Sequence, residues 1–129
     1  MVKNWSAHFI FDEDFQWKDL SKAFPEIWDI IVSQTKQSQE EMQYDQTSLE
    51  LNLQEISNNK KPMGYFKDGA KIKLVFPSDR KEMIIYRGIL TEEIHDLADK
   101  IQKVLKNKKI KYNVEYDKML LYEIRRRRK

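Results

Sequence analysis

With 129 residues, 40% apolar and 35% charged, the chain has the size and composition of one folded domain around one core. The lack of cysteine excludes a disulfide framework, thiolate zinc sites and cysteine nucleophiles. Only 3 Gly and 3 Pro beside 6 Phe, 6 Tyr and 3 Trp exclude collagen-like and disordered classes. The formal net charge is a mild +3.

In chain order, Trp5, Ala7, Phe9 and Phe11 alternate with Ser6, His8 and Ile10, which predicts a first strand over residues 5–11. After the acidic run Asp12-Glu13-Asp14 the period changes. Leu20, Phe24, Ile27, Trp28 and Ile31 recur at helical spacing, and Pro25 divides them into a short helix over 18–24 and a longer one from Pro25 to about Gln39 or Met42. Leu49, Leu51 and Leu53 then alternate with Glu50, Asn52 and Gln54, which predicts a half-buried strand over Ser48–Ile56. Turn chemistry at residues 57–64 and at Asp68-Gly69 leads into strands at Lys71–Phe76 and Met83–Leu90.

Residues 91–108 form the strongest helix signal, with Glu92 and Glu93 in the first turn and one stripe of Ile94, Leu97, Ala98, Ile101, Val104 and Leu105. A hairpin follows, with Tyr112, Val114 and Tyr116 on one arm, Asp117-Lys118 at the turn and Leu120, Tyr122 and Ile124 on the other. The order β-α-β-β-β-α-β-β predicts an α+β domain over 1–124, two main helices on a largely antiparallel sheet of five or six strands, followed by a basic tail at 125–129.

The charge is divided along the chain: residues 1–59 sum to −7 and residues 60–129 to +10. Arg125-Arg126-Arg127-Arg128-Lys129 is the densest block, and Lys103, Lys106, Lys108, Lys109 and Lys111 gather near the end of the second helix. Arginine pairs bidentately with phosphate, and clustered cations are the footprint of nucleic-acid binding. The loop carrying Lys60, Lys61, Tyr65, Phe66 and Lys67 interleaves cations with rings that could stack on bases. Each signal has a plainer reading: a solubilising terminus, cations complementing a helix dipole, and rings folding inward to begin a strand.

Other chemistries find little support. Asp12 and Asp14 have the chemistry of a hard-cation site but a spacing common by chance, and a metal is not expected. The two histidines, His8 and His95, form no metal or paired-histidine motif, and no phosphate-cradling glycine loop or nucleophile elbow occurs. Serine catalysis would require an unmarked Ser beside one of those histidines. No apolar run approaches the ~18 residues of a membrane helix, and the opening Met-Val-Lys-Asn-Trp-Ser lacks a signal-peptide core, so a cytoplasmic protein without a membrane partner is expected.

The sequence therefore favours a small non-enzymatic, cofactor-free protein that contacts DNA or RNA phosphates through its Arg/Lys tail and neighbouring lysines. The alternative is a protein-interaction or inhibitor module, of the kind phage or mobile elements encode. It would dock through its acidic N-terminal half or self-associate through its acidic and basic halves.

Overall fold

The computed structural model describes residues 3–118. Its strands are β1 (Asn4–Phe11), β2 (Lys73–Val75), β3 (Glu82–Thr91) and β4 (Tyr112–Tyr116), and its α-helices are α1 (Phe24–Val32), α2 (Gln39–Ser57) and α3 (Glu93–Asn107). A 3-10 turn at Trp17–Leu20 precedes α1. The α+β class stands, with three helices and a four-stranded antiparallel sheet among the described residues.

The sheet order is β2-β3-β1-β4, and every neighbouring pair is antiparallel. It follows that β1 and β2 run parallel with β3 between them, and β3 and β4 run parallel with β1 between them. These are two interleaved split β-α-β units, the topology of ferredoxin-like sheets. Cross-strand partners share a face. Ala7, Phe9, Phe11, Leu74, Met83 and Ile85 form the face that joins the core with Phe24, Ile27 and Trp28 of α1, Ile56 of α2 and Leu97 and Ile101 of α3. Ser6, His8, Ile84 and Tyr86 lie on the opposite face.

The prediction over 48–56 is corrected: this segment is the second half of α2, not a strand. Its inward stripe is Asp45, Leu49, Asn52 and Ile56, spaced at four, three and four residues. Two of those four are polar, so the apolar letters alone imitate a period of two. The start of α2 is marked by a reciprocal cap. Ser38 Oγ accepts from the Glu41 backbone N–H (3.2 Å), and the Glu41 carboxylate accepts from the Ser38 N–H (3.3 Å). The long helix expected from Pro25 to about Gln39 stops at Val32, because residues 33–41 bring no apolar side chain to extend the stripe. The expected short helix over 18–24 is reduced to its 3-10 turn, with α1 opening at Phe24 and Pro25 in its first turn.

The strand and helix predicted at 83–90 and 91–108 correspond to β3 and α3 with small shifts at their ends. The second hairpin arm at 120–124 and the tail at 125–129 lie outside the described residues. Among the described residues no helix is long and apolar enough to cross a membrane.

Candidate interaction surface

The polar residues of the α2 stripe fasten a neighbouring extended segment. Asn52 accepts from the Gly64 N–H (2.8 Å) and donates to the Gly64 carbonyl (3.3 Å) and to Ser48 O (2.8 Å). On its other side the segment pairs with β2, Tyr65 N–H donating to Leu74 O (2.8 Å) and Leu74 N–H to Tyr65 O (2.9 Å). Gly64 has φ +91°, and a Cβ there would sit 2.4 Å from Leu74 O, so only glycine permits this approach.

Asp45 completes the attachment by accepting from the Tyr65 hydroxyl at 3.2 Å and pairing with Lys67 at 3.5 Å. Burial, and secondarily the Asp45 charge, push the Tyr65 phenol up to about 12. The Glu41 carboxyl is held below its ordinary range, first by the Ser38 backbone N–H and then by Lys67.

This double attachment presents Met63 and Phe66 beside the outward residues of α2. Tyr44, Leu51, Met63 and Phe66 are 61%, 47%, 49% and 55% exposed and line a groove of about 350 Å³. Met42, on the same helix, is also exposed. Lys67 Nζ sits 5.7 Å from the centre of the Tyr44 ring, which holds one aromatic of the group in place. The charged residue lining the groove is Lys67, whose ammonium is paired with Glu41 and Asp45 of α2, a helix that carries five carboxylates and no cation.

The residues expected to bind nucleic acid are distributed differently. Tyr65 is corrected: its ring is buried, edge-on to Trp28 at 5.1 Å, and offers no face to a base. Phe66 is exposed, but as part of the groove. Lys61 donates to Phe76 O at 3.1 Å and Lys67 is bound to Glu41 and Asp45, whereas Lys60 is exposed at the end of α2. Lys103 and Lys106 are exposed on α3.

Lys108, Lys109 and Lys111 line a cleft of about 370 Å³ whose other wall is Asp12, Asp14 and Asp19, and Lys108 reaches Glu26 at 3.8 Å. The two oppositely charged halves of the chain therefore meet in space here, and carboxylates this close oppose the approach of phosphate. Arg125, Arg126, Arg127, Arg128 and Lys129 lie outside the described residues.

Sequence reasoning missed one constellation. Ser6 Oγ lies 2.8 Å from His8 Nε2, His8 Nδ1 lies 3.0 Å from Glu82 Oε2, and Arg80 Nε approaches Glu82 Oε1 at 3.4 Å. The order Ser–His–Glu has the connectivity of a hydrolytic triad. All three residues are buried, however, and Ser6 sits within a strand whose backbone groups serve the ladder and Asp117. Buried within the sheet, the arrangement is a polar network rather than an accessible catalytic site. The signal was the two-residue spacing of Ser6 and His8, but the third member comes from residue 82 by strand pairing, which no local pattern reveals.

Among the described residues no three histidine or carboxylate side chains are gathered so as to hold a metal ion. Comparison of this chain with protein-family models, with curated proteins and with solved structures finds no match.

Proposed function

We propose that this protein is a protein-interaction module that docks a partner on the groove between α2 and residues 63–66. The observation that carries this reading is the group of four large apolar side chains exposed together on a backbone fixed from both sides. Hydrophobic side chains of a folded domain are ordinarily scattered singly over its surface, and grouped ones mark contact sites. Aromatic side chains in a pocket are the usual anchors of such contacts. The net negative charge of α2 favours a partner whose apolar side chains are accompanied by lysine or arginine.

The experiment is affinity capture with cross-linking, comparing the natural chain with a Leu51→Ser/Phe66→Ser variant and with a chain ending at Ile124. A partner lost by the double variant and kept by the shortened chain supports the reading. A partner kept by the double variant overturns it. Both substitutions are at exposed positions, so unfolding should not intervene, and circular dichroism verifies that.

A second reading, nucleic-acid binding, draws support from the exposure of Lys60, Lys103 and Lys106 together with the basic run at 125–129. Its mark is affinity for an oligonucleotide that falls steeply between 50 and 200 mM salt, as counterion release requires, and that the chain ending at Ile124 lacks.

A further inference from the structure

The two edges of the sheet are finished differently. At β2 the outer side is covered, since Tyr65 and Leu74 exchange backbone hydrogen bonds and bring the 63–66 segment against the strand. At β4, among the described residues, no strand lies on the outer side. Edge strands are ordinarily kept from pairing by proline, bulges or several charges. β4 has no proline, one charged side chain in Glu115, and an unshifted register against β1 from Ala7↔Tyr116 to Phe11↔Tyr112.

The direction of its backbone groups follows from two bonds. Asp117 N–H donates to Ser6 O (3.0 Å), and Phe11 N–H donates to Lys81 O (3.0 Å). Alternation along antiparallel strands then turns the backbone groups of Ser6, His8 and Ile10 toward β4, and those of Asn113 and Glu115 toward β1. The N–H and C=O groups of Tyr112, Val114 and Tyr116 therefore point outward along the edge. Their side chains lie on the helix-bearing face, half-buried against the core. Both rings are held there: His95 stacks on Tyr116 at 5.4 Å, and the Tyr112 hydroxyl donates to Gln102 at 3.0 Å.

Set antiparallel to itself about Val114, this strand is self-complementary. Tyr112 falls opposite Tyr116 and Val114 opposite itself, so all three outward-facing residues meet in hydrogen-bonded pairs. On the other face Asn113 falls opposite Glu115. At each end Lys111 falls opposite Asp117 and diagonal to Glu115, which sets a cation against carboxylates. Centring the pairing on Glu115 would oppose that carboxylate to its own copy, and centring it on Asn113 would place Tyr116 opposite Ile110, outside the strand.

We propose that two copies of this chain associate by antiparallel pairing of β4 with β4 about Val114, which doubles the four-stranded sheet. The contact is isologous, so a two-fold axis closes it and the edge at β4 is used up. Five residues per strand make a contact at the small end of stable interfaces, so the dimer is concentration-dependent. The groove beside α2 lies at the other edge of the sheet, beyond β2, and each copy keeps its own.

Sedimentation velocity of the full chain between about 5 and about 500 µM should show the monomer giving way to a dimer. A monomer throughout overturns the proposal. Val114→Pro removes an outward N–H, a position at which an edge strand tolerates proline, and should raise the dissociation constant at least about tenfold. Circular dichroism verifies its fold. Undiminished dimerisation of the folded Val114→Pro variant places the interface elsewhere and overturns the proposal, as does loss of the dimer in the Leu51→Ser/Phe66→Ser variant.

The lack of natural cysteine supplies a second test that does not depend on the proline variant. Val114→Cys brings two thiols to the two-fold axis at a Cα separation of about 5.5 Å, which a disulfide spans. Two copies of Asn113→Cys are instead diagonal neighbours about 7–8 Å apart. Under mild oxidation Val114→Cys should form a linked dimer at least about tenfold faster than Asn113→Cys. Equal rates, or a faster Asn113→Cys, overturn the proposal.

Discussion

Replacing Asn52 with alanine tests whether α2 holds the 63–66 segment in place. The substitution removes both of the contacts that Asn52 makes to Gly64 and leaves the buried Gly64 N–H without a partner. An orphaned buried donor costs about 1–3 kcal/mol, and the loss of the bond to the carbonyl adds about 1, so the expected destabilisation is about 2–4 kcal/mol. The Ala side chain offsets only a few tenths of that through better helix propensity. Against a total of order 10 kcal/mol for a domain of this size, the effect is large.

Urea unfolding followed by circular dichroism reads it as a lower midpoint with an unchanged slope. Thermal unfolding should shift by about 10 °C downward. Thr47→Ala is the control: its hydroxyl donates to Gln43 O on the exposed side of the same helix, and its effect should stay within about 0.5 kcal/mol. If Asn52→Ala costs no more than the control, Gly64 is not held by α2. The apolar groove would then lack the fixed wall that the proposed docking requires.

Gly64→Ala should weaken the same segment by a different route, since its Cβ meets Leu74 O and its φ is left-handed. Loss of at least about 1–2 kcal/mol in the same urea assay is expected. Glu82→Ala removes one partner of the buried His8 and should cost about 1–3 kcal/mol, whereas Glu115→Ala, at the exposed cross-strand neighbour of His8, should cost almost nothing.

Tyr65 gives a pH prediction. Its phenol is raised in the folded protein to about 12 from an unfolded value of 10, so the unfolded state ionises first. Stability is therefore fully present below pH 10 and declines as pH rises through 12. Ultraviolet titration of the tyrosinate band should show a component near 12 that Asp45→Asn moves down, because that variant removes the carboxylate charge. A Tyr65 component remaining at 10 in the natural chain would contradict the burial described for its ring.

The extent to which these features can be read from the sequence depends on the range of the interactions that create them. The stripe of α3 is legible because all its inward positions are apolar, and the alternation of Ala7, Phe9 and Phe11 in β1 is legible for the same reason. Helix α2 was misread because two of its inward positions are Asp45 and Asn52, which serve the 63–67 segment, while Leu51 points outward into the groove. The apparent strand at 48–56 was thus produced by the residues that give α2 its docking face and its polar anchors. The Ser38–Glu41 cap was the local signal that would have placed the helix.

The charge division along the chain is legible in the sequence as a count, and its spatial layout is not. The sequence by itself determines that the chain lacks cysteine and that its acidic residues come early and its basic residues late. The succession of hydrophobic periods determines the α+β class, because period is a local property of the chain. Tertiary structure decides that Asp12, Asp14 and Asp19 face Lys108, Lys109 and Lys111 across one cleft, that Tyr65 turns inward while Phe66 turns outward, and that Ser6, His8 and Glu82 meet. Each of these depends on strand order and on the side of the sheet to which a helix returns. Those choices are made by burial summed over the whole core, so no window along the sequence contains them.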